Sequence, residues 1–257
     1  MTFKIGYFYP EQLNLYGDNG NVEILVYRAK RRGIDVEITH IGLETDLGGF
    51  GDLKKRFDLV FMGGGPDSSQ KSVYEDLIKN KGAYLKDYIN NGGFGLYICG
   101  AYQLLGNYYK SADGSVLAGL GVFDLYTEHF GNRRPRCIGN VVCELADEFR
   151  HNEVFNSVNK IGSTLVGFEN HGGRTYLGEK MLPLGKIIIG RGNNSEDGAE
   201  GVLYKNSIGT YLHGPILSRN PHLADYLIAR SLDLDRLESL DDSLILSAHI
   251  ASKKLRQ

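Results

Sequence analysis

Apolar and polar positions follow two regimes along the 257-residue chain. In the first, short apolar runs are separated by segments of helical period. Residues 3–9 (FKIGYFY) predict a strand, and 21–32 (NVEILVYRAKRR) predict an amphipathic helix that Gly33 ends. Residues 34–41 (IDVEITHI) alternate as a strand does. Residues 57–62 (FDLVFM) are a short apolar run broken only by Asp58, as suits a parallel strand covered on both faces. Residues 70–90 predict a helix interrupted near Gly82, residues 94–98 (FGLYI) another buried strand, and a helix starts at about residue 100. Strands alternating with helices in this way imply a mainly parallel twisted sheet flanked by helices.

After residue 115 the second regime begins. Short strands are predicted at 119–127, 137–144, 163–168, 186–190, 201–204 and 207–212, and they add antiparallel strands to the C-terminal half. A helix over 220–232 has Asn220 at the N-cap position and Pro221 at the first helical position. A last helix is predicted over 240–255. No repeat or low-complexity linker divides the chain. The expected organisation is a single domain over 1–235 with a helical tail over 236–257.

Composition narrows the function classes. Lys plus Arg is 29 and Asp plus Glu is 31, giving a net charge of −2. That balance gives no broad attraction to nucleic acid or anionic lipid. No apolar run approaches the roughly 20 residues of a membrane helix, and no secretory leader is evident. Three cysteines do not make a disulfide framework, so the expected compartment is the reducing cytoplasm. Glycine is the unusual component: 34 residues, roughly twice the ordinary share of about 7%. Several glycines cluster where backbone would have to meet a ligand: 63–65, 100, 172–173 and 214.

Cys99 ends an apolar strand in GLYICGAYQLLG (95–106), and the small pair Gly100-Ala101 opens a helix. This is the strand–turn–helix pattern of a nucleophile elbow, at the sheet edge where α/β proteins bind ligands. A helix N-terminus beside the sulfur favours the thiolate. The bland alternative is a packed structural cysteine. Two further segments bear on the choice. MGGGPDSSQ (62–70) exposes backbone N–H groups after a strand and lacks the Lys-Ser/Thr pair of a P-loop. GTYLHGP (209–215) places His213 at a strand end, where it could act as base for Cys99 or serve as a structural histidine. His171, in GFENHGGRT (167–175), lines a pocket or caps a turn. Cys137 and Cys143 have no second pair at zinc spacing and are expected in the core, so no metal site is expected. Arg133 and Arg134 form a local basic cluster, and Asp18 in LYGDNGN (15–21) reads as a turn or cap residue.

ICGAYQ together with GFENHGGRT and GTYLHGPILSRNP resembles the class I glutamine amidotransferases of the CobB/CobQ type, with their flavodoxin-like fold. Within them it is similar to the amidotransferase subunits of lipid II isoglutaminyl synthase. The resemblance spans residue 13 to about residue 230. It implies that Cys99 attacks the amide of glutamine to give a γ-glutamyl thioester and ammonia, with His213 moving the proton. It implies an oxyanion held by N–H groups of about Gly64 and of Gly100, and contacts from Arg133 and Gln103 to the substrate. It also implies a heterodimer with a Mur-ligase-like MurT subunit, which takes the ammonia and uses ATP to amidate D-glutamate of the peptidoglycan stem peptide to D-isoglutamine. This chain would then need no cofactor of its own.

The sequence departs from the pattern in two places. The usual Glu two residues after the histidine is replaced by Pro215, and Tyr97 stands where many relatives have Gly. The third triad member would come from elsewhere in the chain or from the partner, or the site would work as a dyad. Competing expectations are a stand-alone γ-glutamyl hydrolase or cysteine peptidase on the same scaffold, a cobyrinate-type amidase without its fused ATP-binding domain, and a binding module with a packed cysteine.

Overall fold

A computed structural model describes residues 1–255 of the protein. The first half runs β1 (Thr2–Phe8), α1 (Gly20–Lys30), β2 (Asp35–Ile41), a short α2 (Leu53–Arg56) and β3 (Leu59–Met62). It continues through α3 (Asp67–Asp76), α4 (Gly82–Asn90), β4 (Phe94–Ile98) and α5 (Gly100–Leu104). The helix expected over 70–90 is broken by one π-helical turn, Leu77–Lys81, just before Gly82. A Cβ at Gly82 would lie 2.4 Å from Leu120 Cδ2, so only glycine lets that loop pack so close.

The second half contains β5 (Tyr108–Lys110), β6 (Val116–Ala118), β7 (Leu125–His129), β8 (Cys137–Leu145), short helices α6 (Asp147–Arg150) and α7 (Glu153–Val158), and β9 (Thr164–His171). Then come β10 (Gly173–Leu177), β11 (Gly185–Ile189), β12 (Ala199–Glu200), β13 (Val202–Tyr204), β14 (Ser207–Thr210), α8 (Pro221–Ser231) and α9 (Ser243–Ser252). The strand expected over 119–127 forms only from Leu125. Before it the chain folds back on α5, where Leu120 N–H donates to Leu104 O and Phe123 N–H to Leu105 O.

The central sheet has the order β13-β14-β4-β3-β1-β2, and every pair but β13–β14 is parallel. This is the mainly parallel, helix-flanked sheet that the sequence predicts. The all-apolar run of β3 is fully buried, Leu59 to Met62 each at 0% exposure, and each such side chain contributes about 1.5–3 kcal/mol relative to an exposed one. The other strands form two four-stranded sheets, β10-β7-β5-β6, antiparallel except for the parallel pair β5–β7, and the antiparallel β12-β11-β8-β9.

Register places the site. Phe8 pairs with Met62, Met62 with Tyr97, and Ile98 with Thr210. Four central strands therefore finish at one level, and the segments leaving them meet at one edge. Those segments carry Asp18, Gly63 to Gly65, Cys99 and His213.

Asn220 occupies the N-cap position of α8 and Pro221 opens the helix, as expected, but the Asn220 side chain makes no cap hydrogen bond. Its side chain accepts from Val166 N–H at 2.9 Å and donates to Val166 O at 2.7 Å, tying the helix start to β9. The C-terminal segment is held by a buried ion cluster. Arg28 on α1 donates to Asp225 on α8 (2.6 and 2.7 Å) and to Asp242 just before α9 (2.7 and 2.9 Å). An Arg28→Met change leaves Asp242 without this partner and Asp225 with Arg32 alone. The expected loss is about 3–5 kcal/mol, because uncompensated buried charge is costly. Urea unfolding measures it, and an unchanged midpoint would show that the cluster contributes nothing net.

Candidate active site

Cys99 sits at φ 48°, ψ −102°, between β4 and α5. A non-glycine residue there costs on the order of 1–3 kcal/mol and persists only where its surroundings enforce it. They do: Cys99 N–H donates to Thr210 O at 2.8 Å, and Cys99 O accepts from Gln103 N–H at 2.9 Å. Tyr97 does not prevent the elbow, because its ring lies over Gly95, where a Cβ would come within 2.4 Å. The thiol is buried to 5% exposure, at the wall of a cavity of about 500 Å³.

His213 follows β14, three residues beyond the Thr210 that holds Cys99. Its Nδ1 lies 3.0 Å from Asp18 Oδ1, and both side chains are fully buried. Nε2 has no completed hydrogen bond among the described residues. Burial pushes the imidazole pKa down, but the interactions with Asp18 and then Cys99 outweigh it and hold it up at about 10. A Cβ at Gly64 would lie 3.0 Å from Cys99 Cβ, 3.0 Å from His213 Cε1 and 3.1 Å from Asp18 Oδ2. Nucleophile, histidine and acid thus close around one glycine that admits no side chain.

The sequence reading took Asp18 for a turn or cap residue. Asp18 does cap the turn Leu15–Gly17, its N–H donating to Leu15 O, and its side chain in addition lies against His213, so a carboxylate stands in the place of the missing Glu from within the chain. Its position after β1, at the sheet edge the glycine loop and Cys99 share, was the available signal.

The expectation for Gly64 gives way on geometry. Its N–H donates to Asp18 Oδ2 at 2.8 Å and is not free for an oxyanion. The Gly65 N–H makes no hydrogen bond among the described residues. Gly65 also lies against Gly100, where a Cβ would sit 3.1 Å from Gly65 N.

Gln103 lines the cavity, and its amide is fixed at both ends. Oε1 accepts from Gln70 at 2.9 Å, and Nε2 donates to Tyr211 Oη at 3.0 Å. His171, Gly172 and Gly173 also line the cavity. His171 is stacked on Tyr211 with ring centroids 3.7 Å apart, and burial lowers its pKa. Arg133 does not reach the cavity. It is exposed, with Nε donating to Phe130 O at 3.4 Å, whereas Arg136, three residues on, is at the cavity wall.

Behind the site lies a carboxyl that sequence reasoning did not find. Glu200 is fully buried and accepts from Thr210 Oγ1 (2.6 Å) and Tyr211 N–H (2.9 Å). Burial raises its pKa to about 7. Cys137 and Cys143 are buried, and among the described residues no group of three or more His, Cys, Asp or Glu is placed to hold a metal ion.

A strained cysteine at a strand end, a histidine against it and a carboxylate behind the histidine make a thiol-based acyl-transfer site. Residues 4–221 match the CobB/CobQ-like glutamine amidotransferase domain, and the chain belongs to that family. It is a glutamine-hydrolysing amidotransferase subunit.

The chain is 43% identical over 229 residues to the GatD subunit of lipid II isoglutaminyl synthase (glutamine-hydrolyzing) of Staphylococcus aureus, covering 89% of this chain and 84% of that one. It is 41% identical to the corresponding subunit of Streptococcus pneumoniae, covering 89% and 80%. Among solved structures it is similar to a chain in the structure of PurLQS from Thermotoga maritima. The TM-score is 0.58 at 13% identity, covering 90% of this chain and 98% of that one, a likeness of fold.

Proposed function

We propose that this chain is the glutaminase subunit of a cytoplasmic lipid II isoglutaminyl synthase. The observation that carries the mechanism is the closure of Cys99, His213 and Asp18 around Gly64, beside a cavity of about 500 Å³. The lipid II assignment is supported by the two subunits to which the chain is 41% and 43% identical.

In this reading the Cys99 sulfur attacks the γ-amide carbon of glutamine, and the amide oxygen becomes an oxyanion held by the N–H groups of Gly65 and Gly100. His213, oriented by Asp18, takes the thiol proton and delivers it to the departing nitrogen. The C–N bond breaks, ammonia leaves and a γ-glutamyl thioester remains. His213 then activates a water, which releases glutamate and restores the thiol. Arg136, not Arg133, holds the substrate carboxylate. A Mur-ligase-like partner of the MurT type consumes the ammonia, activating the α-carboxyl of D-glutamate in the lipid II stem peptide with ATP and yielding D-isoglutamine. No helix among the described residues is long and apolar enough to cross a membrane.

Because the acid is intrachain, the isolated subunit should already release ammonia from glutamine, and pairing with the ligase-like subunit should couple that release to ATP-dependent amidation. Glutamate production that ignores the partner, with no amidated product in the pair, would favour the stand-alone γ-glutamyl hydrolase. Absence of glutamate production in both preparations would remove the glutaminase reading.

A further inference from the structure

We propose that Tyr16 is a positioning residue that latches the mouth of the cavity and sets its affinity for glutamine. The inference rests on the glutaminase reading and deepens it.

Tyr16 is a bulky residue at φ 55°, ψ 23°, the left-handed region that glycine or asparagine occupies more easily. It immediately precedes Gly17 and Asp18 and is 45% exposed. A turn needing only that backbone would be served by glycine, so the side chain must account for the residue. Its ring stands edge-on to the His213 imidazole, with centroids 5.0 Å apart at 78°, and edge-on to Phe168 at 6.3 Å. It shields one side of the base from solvent.

The phenol reaches across the cavity. Tyr16 Oη accepts from Asn170 Nδ2 at 2.6 Å. The other end of the same amide, Asn170 Oδ1, accepts from Arg136 Nε at 3.1 Å and Nη2 at 3.0 Å, and Arg136 Nη2 also donates to Asn170 O at 3.1 Å. The Asn170 amide therefore has both ends fixed, and its orientation is dictated by one donor partner and one acceptor partner. Tyr16, Asn170 and Arg136 all line the cavity. They come from three separate segments: the loop after β1, the end of β9 and the residue before β8.

Removing the phenol oxygen frees one end of the Asn170 amide, so Oδ1 no longer holds one fixed position for the Arg136 guanidinium, which keeps only its bond to the Asn170 backbone oxygen as a fixed anchor. The effect falls on recognition of the amino-acid end of the substrate. The sulfur, the imidazole and Asp18 keep their contacts.

The test is Tyr16→Phe, read by saturation labelling of Cys99 with 6-diazo-5-oxo-L-norleucine, a glutamine-shaped electrophile, and followed by intact mass. The half-saturating concentration should rise about 5- to 10-fold, with the limiting rate constant changed less than twofold. Alkylation by iodoacetamide, which has no carboxylate to hold, should be unchanged, as should the melting temperature. An unaltered half-saturation, or a fall in the limiting rate alone, overturns the inference while leaving the glutaminase reading in place. Failure of the unsubstituted protein to label saturably at Cys99 overturns both. A purely structural role predicts a lower melting temperature and slower reaction with both reagents.

Discussion

A Cys99→Ala variant should lose glutamine hydrolysis by a factor on the order of 10⁴ or more, and His213→Ala should fall about as far. The two losses should not add, since sulfur and imidazole act on the same proton. Without the sulfur no acyl-enzyme can form. Without the imidazole the thiol keeps its proton and the leaving nitrogen receives none. What remains is the oxyanion site and substrate binding, which together leave about 10³- to 10⁴-fold over the uncatalysed reaction. Cys99→Ala keeps the Cβ and with it the backbone strain, and removes only the buried sulfur, so its melting temperature should change little. Ammonia release and a melting curve on the same sample separate lost chemistry from lost structure. Activity within tenfold of the parent would end the thioester mechanism.

Asp18→Asn should cost about 10³- to 10⁴-fold in kcat with little change in KM. The argument lies in two contacts. Asp18 Oδ2 accepts the Gly64 N–H, and Oδ1 faces His213 Nδ1. In the Asn variant the amide oxygen must stay on the Gly64 N–H, which has only a hydrogen to offer. The amide nitrogen is then turned to His213 Nδ1 and makes that nitrogen an acceptor. The proton moves to Nε2, the nitrogen that has to take the thiol proton, and the base is in the wrong tautomer.

The same change alters the titration. Burial lowers the His213 pKa, and the contacts with Asp18 and Cys99 raise it to about 10. The folded value lies above the ordinary 6.5, so this group stabilises the fold fully below about pH 6.5, and the contribution fades as pH rises to about 10. Loss of Asp18 should bring the imidazole titration, followed by NMR, down toward or below 6.5. A titration that stays near 10 in the variant would show that Asp18 does not control the base.

Cys99 and His213 could be read from the sequence because each is announced by neighbours: an apolar run, then small residues or Gly-Pro. That information is local. Asp18 was missed because its role depends on the order of strands in the sheet. Strand β1 lies two places from β4 and three from β14, and only that arrangement brings residues 195 positions apart into contact. The arginines failed for another reason. Three of them fall within four residues, 133 to 136, and composition cannot say which one faces inward. Arg134 pairs with Glu196 and lies over Phe130, Arg133 faces solvent, and Arg136, immediately before β8, reaches Asn170. Gly64 was placed in the right loop but one residue from the free N–H, because the bond that occupies it comes from Asp18.

The sheet order also gives the enzyme a timetable. Strand β14 lies between β13 and β4, and it is the last strand of the central sheet to be made. Until it inserts, Cys99 lacks both the carbonyl of Thr210, which fixes its backbone, and His213, the base in the proposed mechanism. A nascent or truncated chain ending before residue 213 therefore carries Cys99 without its histidine, however much of β1 to β4 has formed. Chemical competence cannot precede completion of the central sheet, and glutaminase activity would report that β14 is in place.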